Sequence, residues 1–417
     1  MKKLLAAAVV LTVVGSIFIS CSKKEGAGGA AKTADGVVTL DYLIWDEEQA
    51  PAMQAMIDGF QSKNSSIKVE LTATPWGQYM TKIQTMLGTG TAPDIFWMST
   101  AVATQYMPMG VLEPLTPLAQ RDGYDLSKLN PNILKAYTHE GKLYGIPKDI
   151  DCFVVFYNKE LFDKAGVPYP KDNWTWEDFR STAKALTKGG VYGFGPPSED
   201  RVVNGILWSF GGDVYASDRM RAVVNSPENI AAFTLLTNMW KTDKSSPTGP
   251  ELIETDPSNM FINGIIAMEY NGSWVLSTNS EALGDKLGIV EVPTGPAGKR
   301  TTSHGIGFGT PAGGAKRDAA WEFLKYLGGA EAQEKQAAMV IPANSDASAA
   351  WVKQYPNYDL SPIVRALEYS PTNPLALKNT VATRNLFIAA IQEIWLGGDI
   401  PSVLSSAQTS MNAEINK

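Results

Sequence analysis

The stretch Gly145-Ile146-Pro147-Lys148-Asp149-Ile150-Asp151-Cys152-Phe153-Val154-Val155-Phe156-Tyr157-Asn158-Lys159-Glu160-Leu161-Phe162 decides how the chain is read. Phe153 to Tyr157 is an unbroken run of β-branched and aromatic residues with polar residues beyond it. That pattern predicts a strand buried on both faces. The first half reads as a crossing segment. Pro147 fixes one φ angle, and Lys148, Asp149 and Asp151 set charge directly against a strand that has to be buried. Two acids in that position cost desolvation energy unless something bonds to them. They either turn outward into water or face a cleft between two lobes, and the stretch alone is compatible with both.

Upstream, Val38, Leu40, Tyr42 and Ile44 alternate toward Trp45, while Met53, Met56, Ile57 and Phe60 recur at helical spacing. Ile67, Val69 and Leu71 alternate again. Tyr79, Ile83, Met86 and Leu87 form a second helical stripe that Gly88 and Gly90 stop, and Asp94 to Met98 is a third strand. This βαβαβ order implies a parallel sheet with right-handed crossovers, whose ligands gather at the C-terminal strand ends. Trp45-Asp46-Glu47-Glu48 and Trp97-Met98-Ser99-Thr100 occupy such ends. Downstream, Thr175 suits the N-cap of a helix carrying Trp176, Phe179, Ala183 and Leu186. Leu207-Trp208-Ser209-Phe210 runs into Gly211-Gly212-Asp213, and Ile265 to Met268 reads as a strand leading to Tyr270-Asn271-Gly272-Ser273-Trp274. Ser303-His304-Gly305-Ile306-Gly307-Phe308-Gly309 is glycine-rich in the manner of a segment crossing between lobes. It lacks the third glycine and the following acid of a dinucleotide fingerprint.

With 417 residues, 44% hydrophobic and 19% charged, the chain is long enough for two domains with separate cores. Its net charge of −7 and the lack of a basic stripe speak against nucleic-acid binding. Met1-Lys2-Lys3 followed by apolar Leu4 to Ile19 reads as a secretory signal over residues 1–20. Cys21, after the small Ser20, resembles the lipidation site of bacterial lipoproteins, although Phe18 stands where leucine is usual. Acyl chains at Cys21 would anchor the protein to the membrane. Residues 21–36 are a flexible tether by composition. Within it, Gly26 to Thr33 nearly spells a phosphate loop, but Ala31 replaces the second glycine and no strand precedes it. Cys152 is the one other cysteine and reads as a buried, inert thiol. The two histidines, His139 and His304, are well separated, so no metal site and no cofactor are expected.

Several segments together resemble the extracellular solute-binding proteins of bacterial ABC importers, the carbohydrate type typified by maltose-binding protein. They are Gly90-Thr91-Ala92-Pro93-Asp94-Ile95-Phe96-Trp97, Gly141-Lys142-Leu143-Tyr144-Gly145-Ile146-Pro147 and Phe156-Tyr157-Asn158-Lys159-Glu160-Leu161-Phe162. Thr175-Trp176-Glu177-Asp178, Phe261-Ile262-Asn263-Gly264-Ile265-Ile266-Ala267-Met268, Asn271-Gly272-Ser273-Trp274 and Ala319-Ala320-Trp321-Glu322-Phe323-Leu324 continue the match in order. The resemblance implies an α/β, two-lobed periplasmic-binding-protein fold with multiple interlobe crossovers near residues 149, 303 and 345. The first lobe would comprise residues 37–149 and 303–344, the second 150–302 and 345–417. Where many relatives carry Pro-Ala-Arg before the last crossover, this chain has Pro342-Ala343-Asn344.

The function implied is capture of a mono- or oligosaccharide in the interlobe cleft and its delivery to ABC permease transmembrane subunits, by a monomer and without catalysis. A sugar presents flat C–H faces to aromatic rings and hydroxyl rims to carboxylates and amides. Trp45, Trp208 and Trp274 lie where strand-to-loop junctions would face the cleft, against the alternative of core packing. Trp274 matches the family's Gly-x-Trp, whose indole stacks on the ligand. Asp151 matches the family's acid at the start of the second lobe. Asp149, Glu48, Ser99, Thr100, Asp213, Asn271, Gly272, His304 and Gly305 complete the expected site. A non-sugar solute such as a polyamine or peptide, and an exported glycoside hydrolase, are the competing readings.

Overall fold

A computed structural model of the chain describes residues 36–197, 199–373 and 375–417. Residues 1–20 and Cys21, the expected signal and lipid site, lie outside the described residues, as does most of the tether. Alternation in the sequence becomes a parallel sheet: Val38–Ile44 pairs with Ile67–Ala73 along its full length and with Ile95–Met98 on its other side. Two further strands extend this sheet, Gly307–Gly309 antiparallel to Ile95–Met98, and then Ile146–Pro147.

The second sheet is built around Asp151–Asn158, every residue of which is buried. Leu287–Val290 and Ile266–Gly272 flank it antiparallel, and Tyr192–Gly195 adds parallel at the far edge. Because strand side chains alternate, this one strand serves two apolar clusters. Phe153, Val155 and Tyr157 join the cluster around Trp176, Phe233 and Ile391. Cys152, Val154 and Phe156 join the cluster that runs from the first sheet to Ile363 in the helix Ser361–Tyr369. Cys152 is a free, fully buried thiol, in keeping with the inert role expected of it.

The chain passes between the sheets twice within a few residues. It leaves the first at Ile146–Pro147 and enters the second at Asp151; it leaves the second at Ser303–His304 and re-enters the first at Gly307. The glycine-rich segment is therefore an interlobe crossing, as its composition indicated. A side chain at Gly305 would meet the Asp149 carbonyl at 2.4 Å, so only glycine lets the two crossings run this close.

Three local readings shift. Trp208 lies in the helix Asp200–Phe210, not at a strand end, because its short apolar run belongs to the buried stripe of a helix that begins with charged residues. The strand expected at Ile265 to Met268 extends to Gly272, which carries Asn271 inside the ladder. Asn344, in place of the relatives' arginine, caps the helix Ser345–Gln354 by accepting from the Asp346 N–H at 3.0 Å, and its Nδ2 donates to the Gly328 carbonyl at 2.9 Å.

Candidate functional site

The site follows from strand register. Antiparallel pairing sets Gly272 opposite Phe153 and His304 opposite Asp151. The first residue of the central strand thus lies between His304 on one side and the Ser273-Trp274 turn on the other. The Ser273 hydroxyl donates to Asp151 Oδ1 at 3.3 Å and accepts from the Cys152 N–H at 3.4 Å. His304 Nδ1 stands 3.9 Å from Asp151 Oδ2.

Asp151 is nearly fully buried, and burial raises its carboxyl to a pKa of about 6, against the pull of Lys148, Arg201 and Ser273. Burial and the nearby Arg201 push His304 the other way, to about 3. At neutral pH this is a carboxylate facing a neutral imidazole, not an ion pair. A buried carboxylate has about four acceptor positions, and the Ser273 hydroxyl fills one of them at a long distance. The arrangement can accept hydrogen bonds from hydroxyl groups of a molecule placed beside it.

Trp274, half-buried, lies beside this pair. Its ring meets Phe153 edge-on, centroids 5.2 Å apart, and His304 at 6.5 Å. The Arg201 guanidinium, bonded to Glu199, sits over the indole 5.3 Å from the ring centroid. Arg201 and Glu199 were not singled out from the sequence; the run Glu199-Asp200-Arg201 opening a helix was the one signal available.

Asp149 has a different role. Its Oδ2 accepts from the Lys148 ammonium at 2.7 Å and its Oδ1 from the Ile306 N–H at 2.6 Å, which joins both crossings. Burial pushes this carboxyl up, and Lys148 pulls it back. The ammonium also donates to Gln49 Oε1 at 2.7 Å and lies 4.5 Å from the Trp97 ring centroid. Gln49 in turn donates to Asp46 at 2.7 Å. Asp149 is therefore committed to protein partners and lines the crossing rather than open space.

On the first sheet, Trp45 is half-buried and makes edge contacts with Trp76, Tyr79 and the fully buried Trp97, all near 5 Å. Trp76 is 46% exposed, so the three tryptophans form a ladder from core to surface. Glu48 is exposed beside it. Ser99 accepts from the Val102 N–H as the N-cap of Thr100–Tyr106, and Thr100 is the first residue of that helix; both are buried. Trp208 and Asp213 pair with one another: the Trp208 indole hydrogen-bonds to the Asp213 carboxyl, which burial raises above its usual range. Asn271 donates to Ser258 and Glu269 and accepts from the Gly272 N–H, so its polar atoms serve the turn beneath Trp274. Gly305 is buried, and its carbonyl accepts from the Tyr137 hydroxyl at 3.0 Å. The structure thus gathers Asp151, Gly272, Trp274 and His304 at one point and pairs Trp208 with Asp213. A small pocket beside Asp200, Asn204 and Arg384 has a volume of about 10 Å³, room for a single water.

The model of the family described as bacterial extracellular solute-binding protein matches residues 45–334. A binding protein of Brucella abortus is 25% identical over 406 residues, covering 93% of this chain and 95% of its own. The diacetylchitobiose binding protein of Streptomyces coelicolor is 25% identical, covering 78% of each chain. Among solved structures, an ABC substrate-binding protein from Listeria monocytogenes in complex with cycloalternan superposes with a TM-score of 0.84 at 28% identity, covering 91% of this chain and 99% of that one.

Proposed function

The chain belongs to the bacterial extracellular solute-binding proteins, and we propose that it captures a mono- or oligosaccharide between its two lobes and hands it to the permease of an ABC importer. The observation that carries this reading is the Asp151 carboxylate, buried, under-bonded and set beside the Trp274 indole. Such an acid is stabilised by hydroxyl donors, and such a ring by the C–H face of a pyranose. The relatives named for diacetylchitobiose, arabinooligosaccharides and galactooligosaccharides, and the structure in complex with cycloalternan, support the same substrate class. Arg201 over Trp274 weighs against a cationic solute such as a polyamine.

In this reading the first lobe comprises residues 37–149 and 303–344 and supplies Trp45, Glu48, Ser99 and Thr100. The second comprises 150–302 and 345–417 and supplies Asp151 and Trp274, and His304, from the first lobe's 303–344 segment, pairs with Asp151 across the boundary. Free protein samples open forms, and the sugar favours the closed one by touching both lobes. No bond is broken. The protein acts as an exported monomer tethered by lipid at Cys21. A micromolar dissociation constant corresponds to roughly −8 kcal/mol, within reach of ring stacking and charge-assisted bonds.

The test is a thermal-shift screen of sugars, polyamines and peptides. A solute at 100 times its dissociation constant adds about 2.7 kcal/mol of stability. A shift confined to one class of sugar is the expected result. Silence across the sugars with a polyamine or peptide hit would reject the substrate class while leaving the fold intact.

A further inference from the structure

We propose that Arg201 occupies the stacking face of Trp274 in the solute-free protein, and that a solute binds by displacing this guanidinium. The inference rests on the reading of Trp274 as the surface that receives the solute's ring.

The indole is hemmed in by its own turn. A side chain on Gly272 would meet Cζ3 of Trp274 at 2.0 Å and Cη2 at 2.2 Å, so the Gly272 backbone lies directly against the six-membered ring. Glycine is what allows the indole to fold back this far. Phe153 packs nearly perpendicular to the ring, at an interplanar angle of 82°. His304 also meets the ring edge-on, and the Arg201 guanidinium lies over it, its carbon 5.3 Å from the ring centroid. A cation over a tryptophan is attracted by the ring quadrupole, and the same face attracts the C–H groups of a sugar. Both cannot use it at once.

The surroundings suit a side chain that moves while its backbone stays. The Arg201 carbonyl accepts from the Thr302 hydroxyl at 3.0 Å, which ties the first turn of its helix to the strand leading into the crossing. Its guanidinium is bonded to Glu199, two residues before it in the chain. Arg201 also lowers the pKa values of both Asp151 and His304, so its charge is felt at the carboxylate that awaits hydroxyl donors. Displacing the guanidinium is therefore a cost that every solute meets, and solutes with a broad apolar ring face meet it best. Arg201 sets a threshold of selectivity.

The experiment uses protein labelled with 5-fluorotryptophan, with the Trp274 resonance identified by its loss in Trp274→Phe. In the absence of solute, Arg201→Ala and the volume-conserving Arg201→Met should both increase the H2O/D2O solvent shift of that resonance. Arg201→Met guards against a packing defect in the smaller variant. The sugar giving the largest thermal shift should then bind Arg201→Met roughly 3- to 10-fold more tightly than the unaltered protein. In a Trp274→Phe background this gain should shrink. An unchanged resonance in both variants overturns the proposal. So does a loss of sugar affinity of equal size with and without Trp274, which would make Arg201 a direct solute contact. If no sugar binds at all, the substrate reading fails, while the solute-free resonance still decides whether Arg201 covers the indole.

Discussion

Asp149 and Asp151 are two residues apart, both buried, and chemically opposite in their surroundings. Asp149 has an ammonium on one oxygen and a backbone N–H on the other. Asp151 has one long hydrogen bond from a serine and a neutral imidazole at 3.9 Å. The first carboxylate is finished by the fold; the second is left for something else to finish. Burial alone does not mark a binding residue, since a buried acid with its donors in place is architecture. A buried acid short of donors is what a cleft presents.

The comparison breaks most sharply at Lys148. Lys148→Met leaves Asp149 buried without its partner and should cost about 3–5 kcal/mol of unfolding free energy, read by urea denaturation. If stability holds, the pair is not what secures the crossing. At Asp151 the expectation reverses. Asp151→Ala should weaken sugar binding by about 2 kcal/mol, roughly 30-fold by titration calorimetry, while the solute-free protein unfolds at the same or higher denaturant concentration. Equal affinities would remove Asp151 from the site.

Acidity sharpens the contrast. The folded Asp151 carboxyl is raised to about 6, so its ionised form predominates only above that pH. At pH 5, affinity that depends on the carboxylate should drop about tenfold relative to pH 7. Stability of the solute-free protein runs the other way. Between the unfolded value near 3.8 and the folded value near 6, the native state holds more protons, so this group's contribution falls as pH rises through that window. A flat affinity profile from pH 5 to 7 would contradict the assignment. The smallest effect is expected for Trp274→Phe, which keeps an aromatic face: about 0.5–1 kcal/mol in binding, with little change in unfolding.

Much of this frame was legible in the sequence, for identifiable reasons. Val38, Leu40, Tyr42 and Ile44 alternate because their strand packs one face on helices, and period-two patterns survive without tertiary knowledge. The all-apolar Phe153 to Tyr157 run had to be a central strand because both of its faces find a core. Gly305 and Gly307 signalled a close crossing. Trp208 lies in a helix and not at a strand end, which was hard to read because Ile206-Leu207-Trp208 is a run of only three apolar residues, too short to show a period. Arg201 over Trp274 and Gln49 on Lys148 were out of reach for another reason: each contact joins residues far apart in the chain, and nothing local to either partner reports the other.

The chain from Asp46 through Gln49, Lys148 and Asp149 to Ile306 ties the edge of the first lobe to both strands that leave it. Two strands pinned to one buried charge pair resist sliding past each other. If the lobes close around a solute as proposed, the Ile306 amide, clamped to a buried carboxylate, is the point about which they would turn.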